Sequence, residues 1–228
     1  MHASRISRRA WIATLASTLP ALASAQAPYP DRPITLVVPN AAGGAADNLA
    51  RSVADELGKR LTQSVVVENL GGASGAIAAQ KVLRAAPDGY TLLFGTTSDM
   101  VVTPIANRAA GYAAKDFTPI GKVGTTPMTL VARPNLGIST ADQMAAMAKQ
   151  KANGLSIGTT GNASLQAFAA VALQRAAGID LLGVPYKGGA PLATDLLAGQ
   201  IDLGVLTLPA ALTHVRAGKL VMLGVLSQ

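Results

Sequence analysis

Four loops rich in glycine and in hydroxyl or amide side chains contain the groups of this sequence that could bind a ligand. They are residues 39–47, 95–98, 158–164 and 185–190. Each follows an apolar run that predicts a strand, and all but the second open a predicted helix. Backbone N–H groups at helix N-termini attract anions, and glycine lets the backbone approach a ligand closely. These residues could instead simply form turns, and with four such loops in two separate βα units both interpretations remain open: turns, or a site for a small anion between domains.

The sequence gives little support for catalysis. Beyond the N-terminal segment it contains one histidine, His214, in a predicted helix where a positive charge near the C-terminus is favourable. It has no cysteine, no Gly-x-Ser-x-Gly motif and no phosphate-binding loop ending in Gly-Lys-Ser/Thr. A hydrolase using Ser98 or Ser164 remains an alternative, although no convincing base accompanies either serine. We therefore predict a protein that is not an enzyme and has no cofactor or metal.

Strands and helices alternate along the chain, which predicts an α/β fold with parallel or mixed sheets. Predicted strands cover 34–39, 65–67, 90–94, 128–132, 155–157, 181–184, 201–206 and 220–226. Predicted helices cover 45–60, a segment ending near Arg84, a segment from about 139, then 163–177, 190–198 and 209–217. The helix from about 139 starts at Ser139-Thr140-Ala141-Asp142, a candidate cap. We divide the chain into a first domain at 26–104 and a second at 105–218, with 219–228 crossing back toward the first.

The N-terminal 25 residues have the pattern of a secretory signal peptide. Arg5, Arg8 and Arg9 precede an alanine-rich apolar run, and Ala23-Ser24-Ala25 provides a cleavage site. The adjacent arginines also resemble a twin-arginine signal, so both export routes remain open. We expect a periplasmic protein.

Composition narrows the class of the remaining chain. The 228 residues are 50% hydrophobic and 14% charged, which excludes disorder over most of the length. Loss of the three signal-peptide arginines lowers the net charge from +7 to +4. The remaining basic residues are scattered, so we expect no nucleic-acid partner.

Several motifs resemble the Bug-type receptors, the periplasmic solute-binding proteins of tripartite tricarboxylate transporters. The run 29–39 (Tyr-Pro-Asp-Arg-Pro-Ile-Thr-Leu-Val-Val-Pro), with Gly43-Gly44 and Asp47, resembles the start of the mature receptor. Further matches are 65–69 (Val-Val-Val-Glu-Asn), 85–93 (Ala-Ala-Pro-Asp-Gly-Tyr-Thr-Leu-Leu), 115–117 (Lys-Asp-Phe), 184–188 (Val-Pro-Tyr-Lys-Gly) and 217–220 (Ala-Gly-Lys-Leu). Together they span nearly all of the chain after the signal peptide, in the family's order.

The resemblance implies a two-domain Venus-flytrap fold that closes on a small organic carboxylate and delivers it to the permease subunits of the transporter. It assigns ligand binding to Ala41, Ala42, Gly43, Gly44, Ala45, Asp47, Thr96, Thr97, Ser98, Thr159, Thr160, Gly161, Asn162, Ser164, Tyr186, Lys187, Gly188 and Gly189. We expect a monomer in which Lys187 adds positive potential. Asp47 should mainly organise its own loop from the first turn of a helix.

The sequence departs from the family pattern at three places. Ala41-Ala42 replace two prolines, and Ala45-Ala46 replace a Ser-Thr pair, so hydroxyl donors are missing there. Val205-Leu206-Thr207 replace Phe-Asp-Asn, and the missing acid argues against an amino-acid ligand. The chain is also shorter than the family's usual length, so we expect the C-terminal part of the fold to be missing. A truncated fragment without function remains an alternative.

Overall fold

A computed structural model describes residues 28–151 and 154–226 of the chain. The predicted signal peptide and the final Ser227-Gln228 lie outside these described residues. The chain divides into an N-terminal unit, residues 1–31, and a main unit, residues 32–228. The main unit contains two β-sheets with their helices.

The first sheet has three parallel strands in the order β2-β1-β3. The strands are β1 (Ile34–Val38), β2 (Val65–Asn69) and β3 (Thr91–Leu93), and the helices are α1 (Ala45–Leu61) and α2 (Ala76–Arg84). Leu36 and Val38 of β1 pack against Ala50 and Ala54 of α1. The continuous apolar run of β1 is buried because this central strand is covered by helices. The predicted β-α-β-α-β order is confirmed.

An irregular segment that contains Pro104 and Pro119 follows. It contains a π-helical turn at Ser98–Val102, the short helix α3 (Thr103–Ala106), and 3₁₀ turns at Arg108–Ala110 and Ala114–Asp116. The second of the four loops therefore also opens a helical turn.

The second sheet is mixed, with five strands in the order β6-β5-β7-β4-β8. Its strands are β4 (Met128–Ala132), β5 (Leu155–Thr159), β6 (Leu181–Pro185), β7 (Leu203–Thr207) and β8 (Val221–Val225). Its helices are α4 (Ala141–Gln150), α5 (Leu165–Ala177), α6 (Gly189–Leu197) and α7 (Leu208–Arg216). Strands β5, β6 and β7 are parallel, whereas β4 runs antiparallel to both β7 and β8.

Both faces of the second sheet are covered by helices. Leu130 of β4 faces the cluster that contains Met144 of α4 and Ala170 of α5. The next residue, Val131, faces the opposite cluster with Leu192 of α6 and Ala211 of α7. This alternation follows from the two-residue period of a strand, and it makes the sheet the middle of three layers.

Two details differ from the sequence-based expectations. Val221–Val225 is the edge strand β8 beside β4, so the prediction that this segment already crosses back toward the first domain is wrong. Its apolar side chains are used within the second sheet instead. At the start of α4, Thr140 accepts from the Gln143 N–H, and Gln143 rather than Asp142 accepts from Ser139 N. Within the described ranges, no helix is both long and apolar enough to cross a membrane.

Candidate functional site

A cavity of about 530 Å³ lies between the loops that follow strands of the two sheets. The loops after β1, β2 and β3 line it from one side, and those after β5, β6 and β7 from the other. The carboxyl ends of parallel strands are where open α/β sheets place ligands. The topology therefore brings together loops that are far apart in sequence.

Ten of the sequence-predicted site residues line this cavity. They are Gly44, Ala45, Thr96, Ser98, Thr160, Gly161, Asn162, Tyr186, Lys187 and Gly189. Eight others do not line it: Ala41, Ala42, Gly43, Asp47, Thr97, Thr159, Ser164 and Gly188. Ala42, Gly43 and Thr97 are exposed, whereas Asp47, Thr159, Ser164 and Gly188 are buried behind the lining.

Asp47 organises the loop before α1. Its Oδ2 accepts from Gly43 N at 2.8 Å and from Arg51 Nε at 3.1 Å. Its Oδ1 lies 3.0 Å from Arg51 Nη2, close enough for an ion pair but without the direction of a hydrogen bond. Burial alone would raise the pKa of Asp47, but Arg51 and the Gly43 N–H together bring it below its ordinary value. This geometry supports the structural role predicted for Asp47.

Hydrogen bonds between loops of the two sheets enclose the cavity. Ala41 N donates to Lys187 O at 3.2 Å, beside a close approach of Gly188 to Ala41. On the other side, Ala163 N donates to Ser74 Oγ at 3.2 Å and Leu165 N to Ser98 Oγ at 3.0 Å. Thr103 Oγ1 contacts both Ser74 O and Ala163 O.

The N-termini of α1 and α6 meet at the cavity. Neither helix has a side-chain cap, because glycine occupies both N-cap positions, Gly44 and Gly188. A Cβ added to Gly44 would lie 3.8 Å from Ala190 N and 3.9 Å from Gly189 N. The space next to the first N–H groups of α6 therefore adjoins the start of α1. Uncapped N–H groups and two helix dipoles make this end of the cavity favourable for a carboxylate.

Tyr186 and Lys187 form part of the wall between the two sheets. The Tyr186 hydroxyl donates to Asp195 Oδ2 of α6 at 2.8 Å. Burial, together with this bond to Asp195, raises the pKa of Tyr186 to about 12, so the phenol stays neutral. Lys187 is exposed, and its backbone carbonyl rather than its ammonium group makes the contact with Ala41.

The cavity also contains residues that the sequence analysis did not assign to it. They include Asn40, the segment 72–75, Asp99, Asn107, Gln166, the segment 205–207 and Ala210. Segment 72–75 follows a strand and precedes a helix, so the rule used for the other loops could have found it. Two lining residues, Gln166 and Thr207, have buried atoms, Oε1 and Oγ1, without a hydrogen-bond partner in the part of the chain that the structure describes. Buried polar atoms are normally paired, so these two are exceptions beside the cavity.

Asp99 is a buried carboxyl in the cavity wall, with 4% of its surface exposed. Its Oδ2 accepts from Thr96 N at 2.8 Å and Thr96 Oγ1 at 2.7 Å. Its Oδ1 lies against Gly75, where a Cβ would clash with it. Burial raises the pKa of Asp99 from 3.8 to about 6, although the two Thr96 donors oppose this rise.

The structure gives no support to the hydrolase alternative. Ser98 Oγ accepts from Leu165 N, and Ser164 Oγ donates to Gly161 O and accepts from Ala167 N. His214 lies in the last turn of α7 and lines a different cavity. In the part of the chain that the structure describes, neither serine is hydrogen-bonded to a histidine, and no three His, Asp or Glu side chains gather as metal ligands.

Comparison with known proteins gives one family. The family model "Tripartite tricarboxylate transporter family receptor" matches residues 49–228. A UPF0065 protein from the TAR-I ttuE–ttuC′ intergenic region of Agrobacterium vitis is 38% identical over 204 residues, which are 90% of this chain and 59% of that protein.

Two solved structures extend the similarity to the fold. The periplasmic binding protein BugD is 37% identical with a TM-score of 0.79, over 87% of this chain and 67% of that one. MatC from Rhodopseudomonas palustris with bound malate is 31% identical with a TM-score of 0.82, over 86% of this chain and 67% of that one. The fold is therefore that of periplasmic binding proteins, and the resemblance to Bug-type receptors is confirmed. The chain spans between 59% and 67% of the length of these three proteins.

Proposed function

The chain belongs to the tripartite tricarboxylate transporter family of receptors, and from that premise we propose that it captures a small organic carboxylate outside the cytoplasm. In this proposal it is a binding protein and not an enzyme, and it works as a monomer. It delivers the bound acid to the permease subunits of a tripartite tricarboxylate-type transporter. The predicted signal peptide and the membership in a family of periplasmic receptors support a periplasmic location.

One observation supports carboxylate binding most directly: the uncapped N-termini of α1 and α6 meet at the cavity. A carboxylate there would accept from the first N–H groups of two helices and need no fixed cation beside it. Thr207 also lines the cavity, and its buried Oγ1 has no hydrogen-bond partner among the described residues.

Ligand capture by closure of the two sheets onto each other is part of the same proposal. The loops meet through few hydrogen bonds, among them Ala41 to Lys187, Ser74 to Ala163 and Ser98 to Leu165. Net contributions of such bonds are about 1 kcal/mol each, so opening them costs little in comparison with unfolding. A ligand that touches both sides would then stabilise the closed arrangement.

The test adds a side chain at the point where the two helix N-termini meet. Gly44→Val adds its Cβ at ordinary van der Waals distances from Ala41 O and the α6 nitrogens, so it fills the anion position without a backbone clash. The matched control is Gly121→Val, because nothing lies within 4 Å of a Cβ at Gly121. Binding of succinate, malate, adipate and glutamate is measured by thermal shift and isothermal titration calorimetry.

We expect at least one acid to bind. Gly44→Val should weaken the affinity for that acid by about tenfold or more, whereas Gly121→Val should not change it. If the folded protein binds no acid of the panel, the proposal is wrong and a fragment without a ligand site is favoured. Equal affinity in wild type and Gly44→Val would also contradict the assignment of the carboxylate to these helix ends.

A further inference from the structure

The two sides of the cavity differ in the hydrogen-bond groups that they offer. At the α1–α6 side, the helix N-termini have no side-chain caps. At the α5 side, three donors are already used, because Ala163 N, Leu165 N and Ala167 N bind the hydroxyls of Ser74, Ser98 and Ser164. The α5 side therefore has fewer N–H groups left to attract an anion.

The charged side chains that line the cavity also differ between its α1–α6 side and its α5 side. Asp99 lines the cavity next to Ser98, the residue that binds Leu165 at the start of α5. Within the described ranges, Asp99 forms no ion pair with any lysine, arginine or histidine. The cationic residue lining the cavity, Lys187, is tied through its backbone to Ala41 on the α1 side. A carboxyl buried without a cation makes the α5 side unfavourable for a second anion.

Gln166 provides a second, independent indication on the α5 side. Gln166 lines the cavity, and its buried Oε1 receives no hydrogen bond from the residues that the structure describes. It directly follows Leu165, whose N–H binds Ser98 next to Asp99. Asp99 is an acceptor and the unpaired atom of Gln166 is its carbonyl oxygen, so this side of the cavity favours a group that donates.

We propose that the cavity selects a monocarboxylate with a hydroxyl or ammonium donor at its far end and discriminates against dicarboxylates. The carboxylate lies at the N-termini of α1 and α6, and the donor binds Asp99 and Gln166 Oε1. Asp99 thus supplies the acid that is missing at Val205-Leu206-Thr207. This specificity rests on the proposed carboxylate-binding function, and it differs from that of the relative whose structure contains malate, a dicarboxylate.

The experiment compares acids of equal chain length that differ only at the far end. Adipate, 6-hydroxyhexanoate and 6-aminohexanoate form one set, and succinate, 4-hydroxybutanoate and 4-aminobutanoate a shorter set. Dissociation constants are measured by calorimetry near pH 7.5. In the better-fitting set, the hydroxy or amino acid should bind at least about tenfold more tightly than the dicarboxylate, because like charges in a desolvated site repel.

Two variants and a control test which residues cause the preference. Asp99→Asn should strengthen dicarboxylate binding and weaken binding of the amino acid, each by about tenfold. Gln166→Met should weaken binding of the hydroxy and amino acids and so reduce their preference over the dicarboxylate. Asp142→Asn, an exposed first-turn carboxylate of α4 outside the cavity, should change nothing.

The outcomes separate this inference from the function on which it rests. One result would overturn the specificity but support the function. In that result, dicarboxylates bind as tightly as the hydroxy acids, Gly44→Val blocks their binding, and Asp99→Asn does not change their affinity. No binding of any acid by the folded protein would overturn both. An Asp99→Asn variant that loses all acids equally would show that Asp99 only shapes the loop, and would also overturn the specificity.

Discussion

Replacing Asp99 with asparagine should stabilise the unliganded protein by about 1–3 kcal/mol near pH 7.5 and by much less near pH 4. Asp99 is 4% exposed and forms no ion pair with a residue of the described ranges, so its ionised form is unfavourable in the folded chain. Asparagine has the same shape, and its carbonyl can still accept from Thr96 N and Oγ1. The variant therefore removes the charge and keeps the turn before the π-helical segment.

The magnitude follows from the pKa of Asp99, which rises from 3.8 to about 6 on folding. At about 1.4 kcal/mol per pKa unit, keeping the group ionised costs about 3 kcal/mol. The lower limit of about 1 kcal/mol allows for the asparagine amide, which needs an acceptor of its own. Because the folded pKa is the higher one, the cost is absent below pH 3.8 and complete above about pH 6.

Tyr112, which contacts Asp99, does not titrate in this window. It donates its hydroxyl to Asp99 O, and burial, followed by the Asp99 charge, raises the pKa of Tyr112 to about 12.

The assay is urea denaturation followed by circular dichroism at pH 7.5, 6 and 4, with Asp142→Asn as the control. The difference in the free energy of unfolding between Asp99→Asn and wild type should grow as the pH rises, while Asp142→Asn should have the same stability as wild type at each pH. An Asp99→Asn variant that is less stable at pH 7.5, or a gain that does not change with pH, would refute the reasoning about an uncompensated buried charge.

Two further predictions concern stability elsewhere in the fold. Asp202→Ala should destabilise by about 3 kcal/mol in urea denaturation, because Asp202 accepts from Arg133, Lys151 and Ser156 and is 7% exposed. Burial alone would raise the pKa of Asp202, but Lys151 and Ser156 bring it below its ordinary value, so this contribution is lost only in strong acid. Limited proteolysis should first cut the irregular segment 94–127, where Ile105 and Ile120 are 77% and 83% exposed, and should leave a resistant fragment around the five-stranded sheet. If the protease does not cut segment 94–127, or if it digests the second sheet before the first, the expected order of local stability is contradicted.

Local patterns in the sequence were sufficient to predict the strands and helices. Strands β1 and β4 are continuous apolar runs between breakers, and helices such as α1 repeat their apolar residues at helical spacing. The motifs at 85–93 and 184–188 were sufficient to identify the family. The division into domains at 26–104 and 105–218 and the assignment of ligand-binding residues remain predictions. The place of β8 was predicted wrongly, because an apolar run does not state which sheet it joins.

The sequence also predicted four of the loops that approach the cavity, since glycine-rich segments after strands are typically exposed turns or binding loops, but it did not identify segments 72–75 and 205–207. Only the tertiary structure decided which residues of those loops face inward. Ala41 and Gly188 pack against each other behind the lining, whereas Gly44 faces the cavity. The roles of Asp99 and Gln166 depend on burial and on missing partners. Those properties arise only when loops that are more than sixty residues apart, such as those containing Ser98 and Leu165, come into contact.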